Sequence, residues 1–234
     1  MHDHPVVSTR EWIAARKALL DKEKELTRLR DELSSLRREL PWTRATKSSE
    51  FRGTEGSRTL ADLFGSSRQL IVYHFMYGPD WETGCPSCSF WAENYQGTTI
   101  HLANRDAGLV VISRAAFEKL AAYRERMGWT FPWHSSHGSD FNFDFQVSYL
   151  PEQIESGEAE HNYVPGKVID ELPGVSVFFR DEDDTVYHTY SMYRRGLDML
   201  NGAYHHMDLL PLGRDEEGLP WPMARLRRRD QYTD

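Results

Sequence analysis

Cysteine is scarce in this chain: two residues in 234, both inside the single unit Cys85-Pro86-Ser87-Cys88. One such pair cannot build the multi-bridge framework of a small secreted fold. A disulfide closing so short a loop would add little stability, because the loop-closure contribution grows with loop length. Long apolar runs are missing too, so no membrane partner is expected. The first residues lack the charged-then-apolar layout of a secretory signal, and the expected location is cytoplasmic. Basic residues do not dominate either: 28 Lys and Arg stand against 36 Asp and Glu, for a net charge of -8. A phosphate backbone is held by concentrated Lys and Arg, so nucleic acid is not an expected partner. Arg225 with Arg227-Arg228-Arg229 is the one basic run, and it reads as solvated charge.

What is present describes a globular protein, with 39% hydrophobic, 27% charged and 12% aromatic residues. The length suits one packed domain plus an appendage. The spacing predicts a long helix over 8–40, opened by a Ser8 and Glu11 capping box and stopped at Pro41. Along it Trp12, Ala15, Leu19, Leu26, Leu29, Leu33, Leu36 and Leu40 form a three-four seam broken at Lys22. Such a stripe packs on a partner helix, making a homodimer, or back on its own domain, and the pattern favours neither. The expected organisation is a helical extension over 1–41, a coiled-coil candidate, and a domain over 42–234. Within the domain an irregular aromatic-rich insertion is expected at about 128–172, and an irregular tail after the last helix.

Residues 42–56 read as a polar connection with one short strand, and Leu60 to Gly65 as a helical turn ended by glycine. The near-continuous apolar run 69–77 predicts a central strand covered on both faces. A helix follows from Cys85, broken at Gly97, then a strand at 108–113 and a helix over 114–127. Strand, helix, strand, helix at this spacing is a crossover unit with parallel strands. Val175 to Phe179 and Thr185 to Tyr190 flank the acidic turn 180–184 as an antiparallel hairpin, and a helix over 195–207 closes the domain.

That element order is the order of a thioredoxin-like α/β fold, a central mixed sheet flanked by helices, here with the long N-terminal helix added. A strand, the Gly78-Pro79-Asp80-Trp81 turn, and Cys-x-x-Cys at a helix start is the setting that separates a redox dithiol from half of a zinc site. Residues three apart on a helix share a face, so Cys85 and Cys88 can bridge. Unpaired N–H groups and the helix dipole favour a thiolate at Cys85, the expected nucleophile, while Asp80 and Glu82 oppose it. Cys88, one turn inside beside Phe90 and Trp91, is the expected resolving residue. Pro86 suits the first helical position. Known dithiols of this kind span roughly 150 mV, so reductant, oxidant and isomerase all stay open.

The chain resembles a family of uncharacterised bacterial proteins that carry a thioredoxin-like domain of unknown function, distantly peroxiredoxin-like. The matching stretches are 70–80, Cys85-Pro86-Ser87-Cys88-Ser89-Phe90-Trp91, 113–129, Asp140-Phe141-Asn142, His188-Thr189-Tyr190 and Arg195-Gly196-Leu197-Asp198. The resemblance implies a thioredoxin-like fold and a dithiol-disulfide oxidoreductase. Thioredoxins and glutaredoxins set a cis-proline before the hairpin strand. Here Pro173 is followed by Gly174, and Val175 or Ser176 is expected in that place. Peroxiredoxins carry Pro-x-x-x-Thr-x-x-Cys. Pro79 and Thr83 match, but Cys85 falls one residue early.

The expected activity is therefore thiol-disulfide exchange at Cys85 and Cys88, with Trp81, Thr83, Pro86, Val175 and Ser176 shaping the site. Its partner would be a disulfide-containing protein or a small thiol, with no cofactor and no metal. A peroxide reductase and a non-catalytic interaction module are the alternatives. His134, His137, Asp140 and Asp144 form a weaker metal candidate. Tyr190, Tyr193, Arg194 and Arg195 form a weaker anion candidate. The aromatic run from Trp129 to Phe145 either walls a substrate pocket above the dithiol or fills its own small core.

Overall fold

The computed structural model describes residues 4–232. The outermost residues of the expected extension and tail, 1–3 and 233–234, lie outside the described residues. The chain divides into two units, Met1–Pro41 and Trp42–Asp234. The first unit is α1 (Thr9–Glu39). Its capping box forms as expected: Glu11 N–H donates to Ser8 Oγ at 3.3 Å, and the Glu11 carboxylate accepts from Ser8 N–H at 3.0 Å. No residue of this helix is buried, and Trp12, Leu19, Leu26, Leu29, Leu33 and Leu36 are exposed.

In the second unit the chain runs through β1 (Thr43–Arg44), β2 (Glu50–Gly53), β3 (Gly56–Thr59) and β4 (Gln69–His74). Next come α2 (Pro86–Ala92), α3 (Thr98–Ala103), β5 (Ala107–Ser113), α4 (Phe117–Met127), β6 (Trp133–Ser135), α5 (Phe141–Asp144) and α6 (Pro151–Ser156). It ends with β7 (Ala159–His161), β8 (Val164–Gly166), β9 (Gly174–Arg180), β10 (Val186–Tyr193) and α7 (Gly202–Met207). Among the described residues one eight-stranded sheet has the order β1-β10-β9-β4-β5-β6-β2-β3, with β7 and β8 pairing separately. β4 and β5 are parallel, and β9 is antiparallel to both β4 and β10. This β4-α2-β5 crossover, followed by the β9-β10 hairpin and α7, is the thioredoxin-like arrangement. No helix of the described residues is long and apolar enough to cross a membrane.

Each face of the sheet carries a core, because successive side chains of a strand point to opposite sides. Tyr73 and Phe75 join Cys88, Trp91, Tyr95, Tyr123, Trp129, Trp133 and Val175 on the dithiol face. Leu70 and Val72 join Phe51, Ile112, Phe141 and Phe178 on the other.

Residues 42–56 are expected as a connection with one strand but hold β1, β2 and the first residue of β3. β1 and β3 are the two edges of the sheet and β2 lies beside β3; their polar residues face solvent, so only Phe51 and Gly53 mark the buried side. The insertion is not irregular throughout: β6 joins the sheet parallel to β5, but three residues are too few to show a period. Its aromatics divide between the cores, Trp129, Phe131 and Trp133 on the dithiol face and Phe141 and Phe145 on the other. The helix expected over 195–207 is broken at Asn201, whose side chain accepts from Tyr204 N–H at 3.1 Å and so begins α7 anew.

Candidate functional site: an asymmetric thiol pair at the start of α2

After β4 the chain loops out and returns, so that Cys85 N–H donates to Met76 O at 3.1 Å. On the return Gly84 crosses the ring of Phe75 so closely that a Cβ would lie 2.8 Å from it, which is why glycine stands there. Cys85 then takes the N-cap position of α2 with extended backbone, and Pro86 occupies the first turn. The Cys85 carbonyl accepts from Ser89 N–H at 3.0 Å and from Ser89 Oγ at 2.9 Å. Lys119 Nζ donates to the carbonyls of Pro79 and Trp81 at 2.9 and 3.1 Å, placing an ammonium on the loop that carries Asp80 and Glu82.

Both cysteines are free thiols, Cys85 partly exposed and Cys88 buried. The Cys88 thiol donates to the Cys85 sulfur and, more than any other contact, lowers its pKa to about 6. Burial opposes this shift, while the N–H groups of Cys88 and Ser87 and the Ser87 hydroxyl support it. None of these closes to a full capping bond on the thiol, but all point where the charge of a thiolate would sit. Cys88 behaves oppositely. Burial raises it well above the ordinary thiol range, its bond to Cys85 adds to the rise, and Met76 N–H donates to its sulfur at 3.4 Å. The two sulfurs are thus pushed in opposite directions, which favours the thiolate on Cys85 and the proton on Cys88.

Of the expected site-shaping residues, Val175 pairs with Tyr73 across β4 and β9 and packs in the core that holds Cys88. Trp81 borders that core, and its Nε1 donates to the Asp170 carboxylate at 2.7 Å. Thr83 Oγ1 is buried without a hydrogen-bond partner. Ser176 is not at the site. Strand alternation turns it to the far face, where it bonds His74 Nε2 at 2.9 Å and Ser191 Oγ at 2.8 Å. All described peptide bonds are trans.

Residues 1–232 match the family described as bacterial protein of unknown function (DUF899). The chain belongs to that family. No curated protein is detectably similar to it. Among solved structures, peroxidoxin BcpB from Mycobacterium tuberculosis is similar at 16% identity and a TM-score of 0.46, over 69% of this chain and 96% of that one. A bacterioferritin comigratory protein from Xanthomonas campestris is similar at 13% identity and a TM-score of 0.44, over 71% and 95%. A mitochondrial 2-Cys peroxiredoxin from Plasmodium falciparum is similar at 13% identity and a TM-score of 0.40, over 68% and 90%.

At the dithiol of this family member the basic run of the tail and Tyr123 take places that the sequence does not predict. Arg228 Nη2 and Nε donate to the Gly84 carbonyl at 2.7 and 3.2 Å, and Nε donates to Tyr123 Oη at 3.0 Å. Tyr123 Oη meets Ser89 Oγ at 2.8 Å, so a chain of bonds runs from the tail to the Cys85 carbonyl. The basic run is thus not simply solvated charge. Arg229 pairs with Glu93 at 3.2 Å and donates to Met127 O, and Arg225 reaches the Met207 sulfur at 3.3 Å. Nothing in the local sequence marks these partners.

The weaker candidates do not converge. His137 bonds Arg114 O at 3.2 Å, His134 Nδ1 has no partner beneath Gly53, and Asp140 and Asp144 both hold Lys47. Among the described residues no group of three or more His, Cys, Asp or Glu is placed to hold a metal. Tyr193 Oη donates to Phe145 O at 2.9 Å, and Arg195 pairs with Asp198 at 2.7 Å.

Proposed function

We propose that this protein is a dithiol-disulfide oxidoreductase. The observation that carries the reading is the division of labour within one turn of α2: a partly exposed cysteine with a lowered pKa at the N-cap, and a buried cysteine with a raised pKa behind it. Thiol-disulfide exchange needs a thiolate that reaches solvent to begin the reaction and a second thiol held nearby to finish it. Cys85 attacks one sulfur of a substrate R–S–S–R′, the S–S bond breaks, and R′–S⁻ leaves with the electron pair. Cys88 then attacks Cys85 in the mixed disulfide and releases R–S⁻, so the substrate gains two electrons and the protein ends with a Cys85–Cys88 disulfide. The substrate is a disulfide-containing protein or a small disulfide. An external dithiol returns the protein to its starting state.

The test is a Cys88→Ser variant, which accumulates a mixed disulfide on Cys85 that mass spectrometry of the non-reduced protein detects. A Cys88→Ser protein that stays unmodified in excess glutathione disulfide overturns the reading. Hydroperoxide as the oxidant is a second reading, favoured by the buried, unpartnered Thr83 hydroxyl two residues before Cys85. In that case Cys85 takes one oxygen to become a sulfenic acid and releases an alcohol, and Cys88 attack then releases water. Cys85-dependent consumption of a hydroperoxide with a dithiol reductant tests it.

A further inference from the structure

Behind the thiol pair two buried hydroxyls make no full hydrogen bond, Tyr73 Oη and Tyr95 Oη, and Tyr73 Oη has only a weak contact with the Cys88 sulfur. Tyr73 is 1% exposed on the central strand, and Tyr95 is 4% exposed just beyond α2. Their rings meet edge to face at 5.1 Å, in the same core cluster as Cys88. Cys88 is an ionisable neighbour of both hydroxyls. A phenol buried in a dry core ordinarily finds a partner, and a pair left unpaired around one reactive atom calls for a cause.

The exchange chemistry supplies one. In the resting protein the Cys88 proton is donated to the Cys85 thiolate. Once Cys85 is tied up in a mixed disulfide, that acceptor is gone, and Cys88 must lose its proton in the interior with Met76 N–H as the bond already in place. A charge that develops only at this step is stabilised best by donors already aimed at it. Resting on the dithiol reading above, we propose that Tyr73 and Tyr95 are the stabilising donors for the Cys88 thiolate in the resolving step. Cys88 gives its proton to solvent, its thiolate accepts from the two phenols, the Cys85–Cys88 bond forms, and the bond to the substrate sulfur breaks with its electron pair on R–S⁻. Burial holds both phenols above their ordinary pKa, so they remain donors throughout.

Single-turnover reaction with 5,5′-dithiobis(2-nitrobenzoate) separates the two steps. Attack by Cys85 releases one coloured thiolate, and resolution by Cys88 releases the second. Tyr73→Phe and Tyr95→Phe, which remove only the hydroxyls, leave the first phase unchanged and slow the second about tenfold each. The pH midpoint of the second phase moves upward in both. Thermal melting accompanies the kinetics: loss of an unpaired buried hydroxyl leaves the fold as stable or more stable, so a slow second phase is not a sign of damage. An unchanged second phase in both variants overturns the proposal. Release of a single thiolate by the wild type, or of both by Cys85→Ser, overturns the dithiol reading instead, whatever the tyrosine variants do.

Discussion

On the face of the central sheet turned away from the cysteines, polar side chains are joined from strand to strand. His74 Nε2 meets Ser176 Oγ at 2.9 Å, Ser176 meets Ser191 Oγ at 2.8 Å, and Ser191 meets His188 Nε2 at 2.7 Å. His188 Nε2 also meets Tyr190 O at 3.1 Å, and His74 Nδ1 is buried without a partner. On the dithiol face, by contrast, the buried hydroxyls of Tyr73 and Tyr95 make no full hydrogen bond, and Tyr73 has only a weak contact with the Cys88 sulfur. An unpaired buried hydroxyl costs about 1–3 kcal/mol, whereas a bonded one contributes about 1 kcal/mol. The far face uses its polar groups to fix strand register. The near face carries a cost in the resting state, and this cost has a use only where charge appears during a reaction.

The sharpest way to break this comparison is at Cys85. Cys85→Ser removes all disulfide exchange, and the pH dependence of alkylation in the wild type has its midpoint near pH 6, where the thiolate forms. Iodoacetamide labelling followed by mass spectrometry measures both. A midpoint above 8, the range of a free thiol, shows that the site does not activate its sulfur.

Much of this was legible in the residues. The apolar run of β4, the isolated cysteine pair and Pro86 were enough to expect a thioredoxin-like fold and a dithiol at a helix start. The face of each strand residue was not, because β9 is covered on both sides and Val175 and Ser176 are equally buried. Only pairing with Tyr73 and Val72 tells them apart. Tyr73 and Tyr95 read as ordinary core aromatics, since an unpaired hydroxyl leaves no mark in sequence. Arg228 escaped because its contacts are with residues more than a hundred positions away.

The far face is broken most directly by acid. Burial first, then the neighbouring His188, lowers the pKa of His74 from 6.5 to about 3. Between those values the unfolded chain binds a proton that the folded chain refuses, so stability falls as pH is lowered through this window. At pH 5 the loss is about 2 kcal/mol, from 1.4 kcal/mol per pH unit below 6.5. Glu171 acts with the opposite sign. Burial raises its pKa from 4.5 to about 7, and its contribution is lost as pH rises through that range. The difference between wild type and His74→Gln in urea unfolding from pH 7 to pH 5 isolates the histidine. Parallel profiles would show that His74 does not resist protonation.

A smaller effect sharpens the contrast in sign. Ser191→Ala interrupts the bonded chain and leaves Ser176 and His188 each short of a partner, costing about 1–2 kcal/mol of stability. Neither phase of the thionitrobenzoate release changes. Tyr73→Phe does the reverse, holding or raising stability while slowing resolution. If both variants lose stability alike and neither alters the kinetics, the two faces do not differ in kind.

The smallest expected effect tests whether the dithiol face extends to the tail. Arg228 forks onto the Gly84 carbonyl and Tyr123, and Tyr123 leads through Ser89 to the Cys85 carbonyl. The guanidinium thereby fixes the backbone on both sides of the N-cap without bonding the sulfur. Its removal should loosen the N–H groups of Ser87 and Cys88 that face the thiolate, and raise the alkylation midpoint of Cys85. In Arg228→Ala this midpoint rises by about half a pH unit, equivalent to about 0.7 kcal/mol. Arg228→Lys recovers only part of it, because an ammonium cannot reproduce the planar fork that grips Gly84 and Tyr123 together. A purely structural tail would lower the melting temperature in both variants and leave the midpoint in place, and that result would confine the dithiol machinery to the sheet and α2.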